Sequence, residues 1–449
     1  MSNVRITSPD EKSNRLEQLI NAQPTNGFNK RDKGLKLKTF LFAFTIYLSS
    51  LGRITLEEIA NKCCAIQEEG LTLTKQAMSA RLEAGSRELK ALMSAAINAS
   101  IESKPENQIT PMILSQFESV NITDATILAL PNSLADKHKG FGGDGSDAAL
   151  KIQATYDVKS KDFRLIDLID DATESDHKYV SRLIEDAKAN ELFIFDLGYY
   201  GVDGFLRISA KGAYFISKIK TNVNIYGTDG KKMDLYALLC SNTKIDEMIM
   251  IKGASGETMN VRLTGVRLPE KVYSNRIRKA KKSGKTLSVQ DKERLKWILI
   301  ITNVESDILS FDAICELYRI RWQIELIFKS WKSHFKLDEM NNVGKNYLDC
   351  LIFGKLTMIT IMTSLYSSLY HLVLFSLGRR LSFLRFMKNI RAELDIIALI
   401  IIQGLDKSKL DTVINRVIRS SLMEKRKRET TEETLAAFDL PEEVLKMLC

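Results

Sequence analysis

The chain has 449 residues, 45% of them hydrophobic and 27% charged, with only seven prolines, which excludes a collagenous or low-complexity protein and leaves room for about two to four folded domains. Six cysteines without a CxxC pair and only four histidines exclude a disulfide framework and make a zinc site unexpected, and free thiols suit a reducing cytoplasm. The net charge is +9, and residues 271–296 carry ten Lys/Arg against two Asp/Glu, so nearly the whole charge sits in one segment, the footprint of a polyanionic partner such as nucleic acid.

The opening MSNVRITSPDEK has no apolar signal core. Residues 1–118 read as helical. LKLKTFLFAFTIYLSS has helical apolar spacing, and ITLEEIANKCC reads as a helix capped by Thr55, with Glu58 at capping-box distance. After an EEG turn at 68–70, Thr74 caps a second helix that should end near Gly85. This pair, with Lys75, Gln76, Ser79 and Arg81 outward, has the outline of a DNA-reading helix-turn-helix. From 119 the pattern changes to strands: VNITDATILALP, then a glycine-rich turn at 139–149 that lacks the GK[ST] of a P-loop, then ALKIQATYDV and FRLIDLIDD. A helix over 175–189, the buried strand ELFIFDLGYYG, a short helix and the strand AYFISKIK complete a mixed sheet with helices.

Residues 222–296 read as a mainly β insertion with short strands KMDLYALLC, EMIMIKG and NVRLTGVRL followed by the basic segment. WILIITNV at 297–304 resumes the core, and FDAICELYRIRWQIELIFKSWKSHF follows as one long helix over 311–335. Beyond 350 the chain is helical, with a charged stretch MEKRKRETTEE. The run from Leu356 to Ser376 has no formal charge and is long enough to span a bilayer, but its threonines, serines, tyrosines and His371 read as a buried helix, so no membrane partner is expected.

In a sheet of this order the first and fourth strands should be neighbours. Asp124 lies in the first, Asp196 closes the fourth, and Glu325 comes from the long helix. Three carboxylates with few histidines suit oxygen-loving cations such as Mg²⁺ or Mn²⁺, and two such ions about 4 Å apart serve phosphodiester chemistry. Asp167, Asp170 and Asp171 compete for the same role. On the long helix, Tyr318, Arg321, Glu325 and Lys332 fall within roughly 60° of one another, beside an apolar face of Ile320, Ile324, Ile327, Phe328 and Trp331. By spacing alone that stripe is a solvated flank with an Arg321–Glu325 pair.

The residues Tyr318-x-x-Arg321-x-x-x-Glu325-x-x-x-x-x-x-Lys332, extended by Trp322, Ile324 and Trp331, resemble the YREK signature of bacterial insertion-sequence transposases of the DDE type, the insertion-sequence-four family. Two more blocks fit in family order: Asp124-Ala-Thr126, and Asp196-Leu-Gly198-Tyr199 followed by Gly212-Ala-Tyr-Phe215 and Lys218. The resemblance covers roughly 120–345. Leu197 stands where a basic residue is common, and Lys218 where arginine is.

The resemblance implies a ribonuclease-H-like catalytic core over 119–221 and 297–350, interrupted by the insertion and flanked by helical regions at 1–118 and 351–449. It implies a metal-binding triad of Asp124, Asp196 and Glu325 holding two Mg²⁺ or Mn²⁺ ions, with Tyr318, Arg321 and Lys332 on DNA phosphates. Double-stranded DNA, as element ends and target, is the implied partner. A homodimer in the synaptic complex and a bacterial, nucleoid-associated location are implied with it. Trp297 and Trp322 are candidate platforms for an unstacked base at a hairpin step. Arg276, Arg278, Lys279, Lys281 and Lys282 of the insertion, with Lys75, Gln76 and Arg81, are candidate DNA contacts. The alternatives are a structure-specific nuclease on the same core and a DNA-binding repressor that no longer cuts.

Overall fold

The computed structural model describes residues 15–23, 28, 34–48, 51–67, 70–102, 108, 110–143, 145–220, 223–284, 286–340, 343–402, 406–424 and 434. The stretch 1–12, residues 68–69 of the EEG turn and 425–433 of the charged C-terminal stretch lie outside them. In chain order come α1 (Arg15–Asn21), α2 (Leu37–Phe42), a π-helical turn (Ala43–Tyr47), α3 (Leu56–Gln67), α4 (Lys75–Ser79), α5 (Leu82–Glu102), α6 (Met112–Ser115), β1 (Val120–Leu130), β2 (Ala148–Asp157), β3 (Asp162–Ile169), α7 (Asp176–Glu185), β4 (Leu192–Phe195), α8 (Val202–Ala210) and β5 (Tyr214–Lys218). The insertion adds β6 (Ile225–Tyr226), β7 (Lys232–Met233), α9 (Leu235–Ser241), β8 (Lys244–Lys252), β9 (Thr258–Arg267), α10 (Glu270–Lys282) and α11 (Val289–Leu295). Then follow β10 (Trp297–Thr302), α12 (Phe311–Ile320), α13 (Trp322–Phe335), α14 (Lys345–Leu377), α15 (Phe383–Ala392), α16 (Leu394–Ile402) and α17 (Lys407–Ser421).

The chain divides into two compact units. The first draws on segments within 1–109, 125–173 and 323–426. Its strands run in the order β3-β2-β1, with β2 and β3 antiparallel. Its centre is α14, the one helix among the described residues long and apolar enough to cross a membrane, of whose apolar window 89% is buried inside the protein. Its buried threonines turn their hydroxyls onto their own helix, Thr357 to Phe353 O, Thr360 to Leu356 O and Thr363 to Ile359 O, which removes the cost of burying them. α14 packs on α5 and on the π-helical turn. At that crossing a Cβ on Gly354 would stand 2.5 Å from the Phe44 carbonyl oxygen, so only glycine lets the backbones approach this closely.

The capping box is present: the Thr55 amide donates to Glu58 Oε2 at 2.7 Å, and the Glu58 amide to Thr55 Oγ1 at 3.2 Å. Thr74 caps α4 by accepting from the Ala77 amide at 3.2 Å. That helix does not run to Gly85. It stops at Ser79, and Gly85 lies in the first turns of the 21-residue α5. The glycine is there for packing, because a Cβ would meet the Phe40 ring at 2.3 Å.

The second unit draws on 110–124 and 174–322 among its described residues. Its strands run β1-β4-β5-β10-β9-β8-β6-β7. β1 pairs in parallel with β4, and β4 in parallel with β5, while β10 is antiparallel to both β5 and β9. The βαβ links β4-α8-β5 bury Phe205 against Phe215, stacked at 4.2 Å. The insertion is a β8–β9 hairpin extended by the short β6–β7 pair, plus three helices. KMDLYALLC is only briefly a strand, because Asp234 accepts from the amides of Tyr236 and Ala237 and starts α9 there.

Candidate active site

In the β1–β4 pair, Thr123 lies opposite Phe195, and the next residues along the two chains are Asp124 and Asp196. Two carboxylates thus stand side by side on adjacent parallel strands. Both are half-buried. β4 itself is fully buried, so its backbone cannot shift without disturbing the core.

Cations from other elements converge on this pair. Arg321, 5% exposed, directs Nη1 to Asp124 Oδ2 at 3.1 Å and Nε toward Asp196 Oδ1 at 3.8 Å. Lys218, at the end of β5, places Nζ 3.4 Å from Asp196 Oδ1 and 5.2 Å from the centre of the Tyr318 ring. The Tyr318 hydroxyl donates to Asp196 Oδ1 at 3.2 Å. Burial raises the Asp196 carboxyl, but Lys218 and Arg321 outweigh it and hold the group below its ordinary value, so it stays ionised. Burial first, then the Asp196 charge, pushes the Tyr318 phenol up, so it remains a neutral donor.

The stripe on the long helix is therefore no solvated flank at its start. Tyr318 and Arg321 are buried and committed to the aspartates. The single helix expected over 311–335 is two segments, because the Arg321 amide reaches the Tyr318 carbonyl in a tight i−3 bond at 3.4 Å. Ile320, Ile324, Ile327, Phe328 and Trp331 are all buried, as the apolar spacing requires. Glu325 is half-buried on α13, and in the same unit Lys332 Nζ donates to the Ile127 carbonyl at 3.1 Å.

Two of the three competing acids have other partners. Asp170 lies 3.0 Å from the His138 ring, and Asp171 accepts from the Thr173 amide at 2.9 Å. Among the described residues no group of three or more His, Cys, Asp or Glu side chains stands together as a metal site. The donor chemistry of Asp124 and Asp196 nevertheless fits a hard divalent ion: carboxylate oxygens only, partly open to solvent.

The remaining candidates are dispersed. Trp297 is 2% exposed, its indole N–H donating to Glu293 Oε1 at 3.4 Å and its ring lying 5.2 Å from the Arg267 guanidinium. Trp322 is 63% exposed. α10 buries none of its residues and leaves Arg278, Lys279, Lys281 and Lys282 exposed. Arg276 differs. It is half-buried and its Nη1 donates to the carbonyls of Leu295 and Trp297, at 3.3 and 2.9 Å, which ties α10 to the start of β10 rather than offering a free cation. Lys75 and Gln76 are exposed on α4, while Arg81 folds back onto the Ala77 carbonyl at 2.6 Å.

One contributor was not legible in the sequence. Lys355, fully buried in α14, donates to the carbonyls of Leu51, Phe335 and Lys336 at 2.8, 3.0 and 2.8 Å. It thereby closes the C-terminal end of α13, the helix that carries Glu325 and Lys332.

Asp124, within β1, and Asp196, just past the end of β4, thus stand on adjacent parallel strands of a mixed sheet flanked by helices, the α/β fold class expected of the core. The family model described as "Transposase DDE domain" matches residues 115–361, and the chain belongs to that family. It is 30% identical over 297 residues to the transposase for insertion sequence element IS231B of Bacillus thuringiensis subsp. berliner, covering 61% of this chain and 62% of that one. The transposase for insertion sequence element IS1151 of Clostridium perfringens is 27% identical over 361 residues, 75% of each chain. The match thus spans less than two thirds of the IS231B relative's length. Among solved structures, a piggyBac transposase synaptic complex with hairpin DNA is similar at a TM-score of 0.45 and 8% identity, over 94% of this chain and 84% of that chain. A DDE domain implies dependence on a divalent metal, and transposases act on DNA.

Proposed function

We propose that the protein is the transposase of an insertion sequence, which cuts the ends of its own element and joins them to target DNA. The observation that carries this reading is the pair Asp124 and Asp196, clasped by Arg321 and Tyr318 of the YREK signature. Asp124, Asp196 and Glu325 would hold Mg²⁺ or Mn²⁺ as two ions, which supply activation of the attacking oxygen and neutralisation of the leaving one. The protein's own part is placement. Arg321 and Lys218 bring positive charge to a scissile phosphate and keep Asp196 ionised. The neutral Tyr318 hydroxyl fixes the Asp196 rotamer or donates to a phosphate oxygen. Lys332 grips a neighbouring phosphate, and the exposed cations of α10 carry the flanking backbone. A hairpin-forming, cut-and-paste route and a synaptic homodimer are the further parts of this reading.

A strand-transfer assay tests it. The full chain is incubated with labelled element-end duplex, target plasmid and Mg²⁺. Metal-dependent joining is the expected result. Cleavage without joining would mark a structure-specific nuclease, and metal-independent binding alone a repressor. In the same assay Trp322→Ala should slow hairpin formation more than first-strand nicking. Its open ring is the available platform for an unstacked base, and losing such a platform costs about 1–3 kcal/mol. Equal slowing of both steps would remove Trp322 from that role.

A further inference from the structure

We infer that the first unit carries its own DNA-backbone seat, a groove of about 740 Å³ lined by Lys75 and Ser79 of α4, Lys137 of the loop after β1, and Lys345 and Asn346 at the start of α14. This rests on the transposase reading and adds a contact surface to it. Three stretches of chain far apart in sequence each contribute a lysine to one concave surface. Lys75 and Lys137 are exposed, and neither has an ion pair among the described residues. Lys345 is half-buried and is paired with Asp349 at 3.2 Å, so it shapes the floor more than it adds net charge. α14 opens there with Gly344, which provides no side-chain cap, so the positive end of a 33-residue helix adds to the lysines.

The floor is rigid. Tyr347 donates its hydroxyl to the Ile54 carbonyl at 2.6 Å, which pins the start of α14 to the residues just before α3. Exposed lysines around an open concavity, whose lining also includes Ile54, Leu56, Leu82 and Val343, fit a run of phosphates better than a small apolar ligand. The groove sits beside α4, so a duplex whose backbone lies in it places its bases within reach of Gln76 and Ser79. Nothing in the spacing of Lys137 and Lys345 connects them with Lys75, so their grouping follows only from the fold.

The test is binding of the full-length chain to a random-sequence duplex, followed by fluorescence anisotropy over a salt series. Lys75→Gln/Lys137→Gln removes two exposed cations without touching a described ion pair. A charge-matched control, Lys90→Gln/Lys388→Gln, removes two exposed lysines elsewhere in the same unit. The groove variant should bind at least tenfold more weakly at low salt, with a salt-dependence slope shallower by about 1–2, since each phosphate contact contributes about 0.9. The control should keep the slope of the unaltered protein, and thermal melts of both variants should match it. A groove variant that keeps the original slope, or a control that loses as much, overturns the groove while leaving the transposase reading intact. An unaltered protein that binds no DNA overturns both.

Discussion

Asp196→Asn is expected to abolish cleavage and joining of element ends while leaving gel-shift binding of the same duplex nearly intact. Asparagine keeps an oxygen that can accept from Tyr318 and Lys218, so the local hydrogen bonds survive. What is lost is the negative charge that Lys218 and Arg321 keep in place. Removing it forfeits several kcal/mol of metal-mediated stabilisation, a rate factor on the order of 10³ or more. Asp124→Asn and Glu325→Gln should behave alike, and loss of any one should stop both chemical steps if one site serves both. Mn²⁺ should partly restore activity, because it accepts a wider range of donors. Asp170→Asn and Asp171→Asn are the comparisons. Their carboxylates serve His138 and Thr173, so cleavage should persist. An essential Asp170 beside a dispensable Asp196 would move the site to the other strand end.

Lys355→Met should be strongly destabilising. It removes the donor of three carbonyls, two of them at the end of α13, where Lys336 already turns into a left-handed conformation at φ 51°. A buried group left unsatisfied costs about 1–3 kcal/mol, so a loss of about 3–5 kcal/mol is expected in urea unfolding at unchanged slope. Burial pushes the Lys355 ammonium down to about 7, against a pull upward from Glu339 and Asp338. Between that value and the ordinary one near 10.5 the unfolded chain binds a proton that the folded chain sheds. Stability should therefore climb as pH rises from about 7 to 10.5 and be level below 7, the climb being reduced because the neutral amine can serve only two of the three carbonyls. Lys355→Met should lack that climb. A loss below about 1 kcal/mol would mean that water takes over the three carbonyls.

The adjacency of the first and fourth strands was legible from local signals, buried runs and a βαβ link, whereas the choice of Asp124 and Asp196 over Asp167, Asp170 and Asp171 rests on the family resemblance. Thr55 and Glu58 were legible from local signals, since a capping box is complete within four residues. Gly85 was misleading. Glycine in a helical pattern suggests a stop, whereas here the Phe40 ring requires its missing side chain. The start of α9 was missed because Asp234, a single capping residue, outweighed the β-like alternation around it. The burial of Tyr318 and Arg321 lay beyond periodicity altogether. A helical stripe shows which residues share a face, and only the fold shows that two aspartates wait opposite it. Trp297 and Arg276 turned inward for a similar reason: each satisfies or is satisfied by a group on a neighbouring element, Glu293 for one and two carbonyls for the other.

The first unit is assembled from segments lying within 1–109, 125–173 and 323–426. Its early helix α5 finds its main packing partner in α14, which ends at Leu377. During synthesis at about 5–20 residues per second, α5 therefore waits for its partner on the order of tens of seconds. The emerging polypeptide exposes the apolar face of α5 for that interval, a demand on chaperones that the second unit, nearly contiguous from 174 to 322, does not make. A premature stop before α14 leaves α5 without its main packing partner.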